Sequence, residues 1–250
     1  MADWNDPRAT RTGFGTVPGQ DGRVAPQAAQ YDAGLRKHML SIYNYMASGV
    51  LLSGIVAMLF AGSGLAAQIM TQGGILAWLI ILSPLAFVLA MSFGRNKFST
   101  GALQLMFWGF ATVMGLSLST IFLVYSGQSI ATAFFAAAGA FAGLSLYGYT
   151  TKKDLSGFGT FLVMGVIGLL VAMLLNAFVF QSGAMGLAIS AIGVLIFAGL
   201  TAYDTQMLKR QYDYVAGTDM AGKAIILGAL SLYLDFINMF QFLLSFMGRE

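Results

Sequence analysis

Ala224–Gly248, AIILGALSLYLDFINMFQFLLSFMG, is uncharged along its whole length except at Asp235. About 20 apolar residues suffice for a helix to cross a bilayer, so this stretch reads as a span. Wound at 3.6 residues per turn, it places Ser231, Asp235, Asn238, Gln241 and Ser245 on one face, at steps of four, three, three and four. The opposite face is Leu232, Phe236, Met239, Phe240 and their neighbours. A span with a continuous polar stripe has to turn that stripe toward other helices or a hydrated cavity. An ionised carboxylate at mid-bilayer costs about 2.5–3.5 kcal/mol on insertion scales. Asp235 is therefore a candidate functional residue, while Ser231, Asn238 and Gln241 read as its polar lining and as interhelical hydrogen-bonding groups.

The same pattern recurs upstream. No charged side chain occurs from Leu155 to Tyr203, and then Asp204 appears. The 250-residue chain is 58% hydrophobic and only 9% charged, against about 25% charged for a soluble domain. The composition is that of an all-α integral membrane protein. Uncharged segments near 39–61, 75–94, 101–125, 129–149, 158–181, 184–208 and 224–247 predict seven transmembrane helices. Because Asp235 splits the last of these, a six-span chain with a re-entrant C-terminal segment is the alternative. Ser126-Gly127-Gln128 and Gln181-Ser182-Gly183 are short enough to make tight hairpins.

Residues 1–33 hold three of the four prolines and no helical period, which predicts a disordered cytosolic tail ahead of a membrane domain at 34–250. Basic residues flank alternate loops: Arg36 and Lys37, Arg95 and Lys97, Lys152 and Lys153, then Lys209, Arg210 and Lys223. The positive-inside bias places these loops and the N-terminus in the cytosol, and an odd number of spans then puts the C-terminus outside. Arg249 is the one basic residue on the other side. The glycines at G-x-x-x-G spacing, Gly139 and Gly143, predict close helix packing.

Asp204 has a plain reading as an interfacial acid paired with Lys209 or solvated. Hairpin arithmetic favours another. With the turn near 215–222, Asp204 and Asp235 differ in depth by only about 6 Å, so their carboxylates meet if the helices pack face to face. Two such groups in a low-dielectric pocket do not both ionise comfortably, and the pair holds a shared proton. Deprotonated, it offers up to four hard oxygens suited to a cation such as calcium, which wants six to eight. The physical expectation is a proton-sensitive cation path that closes as pH falls.

Other chemistries lack their residues. Cysteine is absent and the single histidine, His38, is expected at the border of the first span beside Lys37, so zinc sites and a Ser-His protease are excluded. No nucleotide-binding glycine motif and no basic face interleaved with aromatics occurs, which leaves no nucleotide or nucleic-acid partner and no resident cofactor. An intramembrane aspartyl protease would carry G-x-G-D; Asp204 follows Thr201-Ala202-Tyr203 and Asp235 follows Leu232-Tyr233-Leu234. The protein is expected not to be an enzyme.

Three motifs in order resemble the Bax inhibitor family, in its bacterial branch. Ala229–Phe240, ALSLYLDFINMF, is similar to the family signature. Ala202-Tyr203-Asp204-Thr205-Gln206 is similar to its sixth-helix motif, and Thr151-Lys152-Lys153-Asp154-Leu155-Ser156 to the loop before its fifth helix. The resemblance implies seven helices with the last ringed by the other six. It implies that Asp204 and Asp235 form a di-aspartyl pH sensor tied to a calcium leak through the inner membrane. It also implies that Arg95, nearest the end of the second helix, latches the sixth-helix aspartate. A second implied function is regulation of a membrane-anchored ATP-dependent protease as a binding partner, a role the N-terminal tail would suit.

Overall fold

A computed structural model describes the backbone of residues 21–248 and the side chains from residue 30. The chain divides into two compact units, one ending at Lys37 and one beginning at His38. Among the described residues every regular element is helical: α1 (Asp21–Gly62), α2 (Leu65–Gln72), α3 (Ile75–Gly94), α4 (Thr100–Leu118), α5 (Ile121–Val124), α6 (Gly127–Thr150), α7 (Ser156–Leu175) with a π-helical turn at Asn176–Phe180, α8 (Gly183–Val215) and α9 (Met220–Met247). Seven segments among them are long and apolar enough to cross a membrane. They coincide with the seven expected spans to within a few residues at most ends.

Where they differ, the helix outlasts the apolar sequence. The span expected to stop at 208 continues as α8 to Val215, and the one expected from 224 begins as α9 at Met220. Charged residues such as Lys209, Arg210 and Asp213 end a hydrophobic run without ending a helix, because their propensities remain favourable or nearly so. The expected tail boundary moves for a related reason. Residues 1–20 of that tail lie outside the described residues, but α1 already begins at Asp21, where Ala25, Gln27, Ala28 and Ala29 favour helix. The re-entrant alternative is overturned, since Met220–Met247 is one uninterrupted helix.

The connections use local hydrogen bonds. Ser99, Ser126 and Ser182 cap α4, α6 and α8, accepting from the amides of Ala102, Ser129 and Met185, which satisfies donors that lipid could not. Between α7 and α8 only Gln181 and Ser182 are free of helix. Gln181 takes φ 45°, a left-handed conformation uncommon for a side chain of its size.

α9 is the most buried of the seven spans. Within its most apolar stretch 56% is buried, against at most 33% in any other span. It touches α1 through Tyr233 and Ser53, α4 through Tyr233 and the rings of Phe107 and Phe110, α6 through Phe236 and Phe141, and α8 along most of its length. The close backbone approaches are made by glycines other than the expected pair. A Cβ on Gly148 would come within 2.2 Å of Ala202 O, and one on Gly115 within 2.7 Å of Ser53 O, whereas Gly139 and Gly143 have nothing within 4 Å. Spacing alone marked a stretch of α6 that, among the described residues, has open space beside both glycines.

Candidate functional site

The antiparallel register of α8 and α9 assembles the site. Ser190 lies opposite Ser245, Gly193 opposite Phe242, Asp204 opposite Ser231 and Leu208 opposite Gly228. That register sets Asp235 one helical turn deeper than Asp204, about 6 Å along the axis, as the hairpin arithmetic predicts. The Asp204 and Asp235 carboxyl groups are near enough to act on each other electrostatically.

The two acids sit in different surroundings. Asp204 is half-buried, and its Oδ2 accepts a hydrogen bond from Ser231 Oγ. It lines a cavity of about 560 Å³ shared with Tyr203, Met207, Arg210, Tyr214 and Ser231. Asp235 is buried, 5% exposed, and its Oδ2 has no hydrogen-bond partner. A buried oxygen left without a donor is costly, and no group of three or more His, Cys, Asp or Glu surrounds it among the described residues. The arrangement is a carboxyl pair with one satisfied and one open side.

The neighbours of Asp204 hold α8 in place. Thr205 Oγ1 is 3.0 Å from Ser145 Oγ, which is 2.6 Å from Tyr43 Oη, so three hydroxyls tie α8 to α6 and α1. Gln206 Oε1 accepts from Leu155 N at 2.9 Å while its Nε2 donates to Lys153 O at 2.8 Å. Arg210 pairs with Asp154 at 2.9 Å and donates to Ser156 Oγ. The Thr151–Ser156 loop is thus fastened to the turns of α8 just past Asp204. Asp154 carries its share of this from outside the membrane segments. The backbone amide and hydroxyl of Ser156, joined by Arg210, hold its carboxyl down at about 2.

The remaining expected residues fall in several places. Lys209, the plain partner for Asp204, instead donates to Tyr149 O at 2.8 Å. Arg95 is exposed, and its carbonyl accepts from Lys223 Nζ at 3.4 Å; the guanidinium lining Asp204's cavity is that of Arg210. Asn238 is half-buried, its Nδ2 donating to Leu234 O at 2.8 Å, and Gln241 is exposed. His38 is a correction: it is buried at 4% exposure, its ring 5.3 Å from that of Tyr212. The extension of α8 to Val215 supplies the tyrosine that covers it.

Comparison with known proteins gives the chain its relatives. A family model described as Inhibitor of apoptosis-promoting Bax1 matches residues 35–250. The chain belongs to the Bax inhibitor family. Relatives of this Bax inhibitor family protein include one from Caulobacter vibrioides, 47% identical over 229 residues, covering 87% of this chain and 90% of its own. A Rickettsia prowazekii protein is 43% identical over 223 residues, 88% of this chain and 92% of its own. The inner membrane protein YbhL of Escherichia coli is 42% identical over 235 residues, covering 93% and 98%. The Bax inhibitor family match takes in the whole membrane part, Asp204 and Asp235 included, and the relatives' names carry no enzymatic activity.

Proposed function

We propose that this family member is a proton-sensitive calcium leak of the inner membrane. Asp235 is the central cation ligand and Asp204 its proton-sharing partner. The observation that carries the reading is the buried, unpartnered Oδ2 of Asp235 beside a second carboxyl group, inside a membrane span. With no basic side chain paired to Asp235 among the described residues, its charge is neutralised by a proton or by a cation. The two exchange. At higher pH the pair presents up to four carboxylate oxygens, with backbone carbonyls and water completing a shell of about six to eight. As pH falls a shared proton takes the cation's place and the path shuts. α9 serves as the central column, with the other six spans around it, the basic ends facing the cytosol. In this reading Arg95 latches the sixth-span aspartate in a conformation that brings the end of α3 to α8.

Purified protein in calcium-loaded liposomes tests the reading. Flux is expected to fall with pH, and Asp204→Asn and Asp235→Asn are each expected to abolish that response. If both variants leave flux and its pH profile unchanged, the pair has no such role. The binding-partner alternative, regulation of an ATP-dependent protease through residues 1–33, carries a different signature. Removing those residues would end co-purification with the protease and leave flux intact.

A further inference from the structure

The polar stripe of α9 does not stop at the acid pair. Beyond Asp235, toward the end of the helices opposite the Lys152–Lys153 and Lys209–Arg210 loops, a second cavity of about 540 Å³ lies between α7, α8 and α9. Five uncharged polar side chains line it from three elements: Asn176, Ser190, Asn238, Gln241 and Ser245. No ionisable group is among its lining residues. We propose that this cleft is an outer vestibule that takes a partly dehydrated hard cation on the carboxamide oxygens of Asn238 and Gln241 and passes it to Asp235. The proposal rests on the leak reading and deepens it by naming the access route.

The chemistry of Asn238 points this way. Its partner Leu234 O is a carbonyl, so the group facing it at 2.8 Å has to be the amide nitrogen. That fixes the flip and leaves Oδ1 as the acceptor on the remaining side. Asn238 stands three residues from Asp235 on one helix face, a rise of about 4.5 Å. The carboxylate oxygen of Asp235 that lacks a partner is buried at the adjoining turn. Gln241, one turn further out, is exposed. Neutral carbonyl-type oxygens suit a step that replaces part of a hydration shell without trapping the ion, while the formal charge waits deeper.

The cleft is also structurally prepared. Stacked rings of Phe197 and Phe242, 5.8 Å between centroids, form its wall on the α8–α9 seam. The π-helical turn that ends α7 begins at Asn176, and Gln181 N closes it on Asn176 O at 2.7 Å. Asn176 Oδ1 then accepts from Ser182 N at 3.0 Å, which fastens the α7–α8 connection at the cavity's edge. π-turns and left-handed non-glycine residues concentrate at functional sites because their strain has to be offset by surrounding structure, and Gln181 and this turn lie together here.

The chain contains no cysteine, so single substitutions report on this cleft without background. Full-length Asn238→Cys, Gln241→Cys and the near-isosteric Ser245→Cys are reconstituted in liposomes. They are then treated, from each side in turn, with cationic and anionic water-soluble thiol reagents of matched size. The expected result is reaction from the side away from the basic loops, at least about tenfold faster with the cationic reagent, and slowing of the Ser245→Cys reaction, which leaves both carboxamides in place, by added calcium. Equal rates for the two reagents would overturn the proposal, as would reaction only from the basic side or no reaction at all, the last being the outcome for a cleft filled by lipid. Labelling does not depend on flux. Reaction without acid-dependent calcium flux removes the leak and keeps the vestibule, and flux without reaction does the reverse.

Discussion

Tyr233, two residues before Asp235, is fully buried, and its hydroxyl is 2.6 Å from Ser53 Oγ on α1. Ser53 Oγ is also 2.6 Å from Ala111 O on α4, so one buried cluster joins three helices. Tyr233→Phe keeps the ring among Phe107 and Phe110 and removes only the hydroxyl. The expected cost is about 0.5–1.5 kcal/mol, read as a fall of about 1–6 °C in the thermal midpoint in detergent. An unchanged midpoint would mean the hydroxyl contributes nothing. Nothing in the sequence announced this cluster. Asp204 and Asp235 stand out because charge is rare in an apolar run, and the stripe from Ser231 to Ser245 stands out by its period. Ser53, Ser145, Thr205 and Tyr233 are single polar groups on apolar helices. Their pairing depends on how each helix is rotated, and rotation is invisible when lipid and protein both prefer apolar side chains. His38 escaped for the same reason, since only the placement of Tyr212 decides that it is covered.

At the scale of elements, the α8–α9 hairpin was the most legible part of the fold. Counting residues from its turn placed Asp204 and Asp235 at neighbouring depths, because helical rise is fixed by backbone geometry. The contacts of α6 were less so. Its G-x-x-x-G pair stands in open space, while Gly148, outside that spacing, lies against the backbone of Ala202. Gly148→Ala is expected to push α6 and α8 apart at a cost of about 1–3 kcal/mol, and Gly139→Ala to cost nothing measurable. Thermal unfolding of the two variants side by side decides this, and equal midpoints would contradict the packing described. Because Ala202 adjoins the Asp204 turn, the Gly148 variant also disturbs the acid pair from a distance.

For the whole molecule, hydropathy was enough to count the spans, since each crossing demands its own apolar length. It could not rank them by burial. α9 is the least hydropathic of the seven and the most buried, which reverses the ranking that apolarity alone would suggest. Seven crossings require the termini to lie on opposite sides. Reporter fusions at the N-terminus and after Met247 are expected to be active on opposite faces of the membrane. Activity on one face would remove a crossing from the count.

The burial of α9 against helices that precede it has a consequence for how the protein is made. Translation delivers this helix after the segments it packs against. α1, α4, α6 and α8 must therefore wait, with Ser53 and Asp204 short of their partners Tyr233 and Ser231. A chain interrupted before Met220 leaves the Ser53 hydroxyl without Tyr233 and the Asp204 carboxyl without Ser231, polar groups exposed for quality-control proteases to recognise.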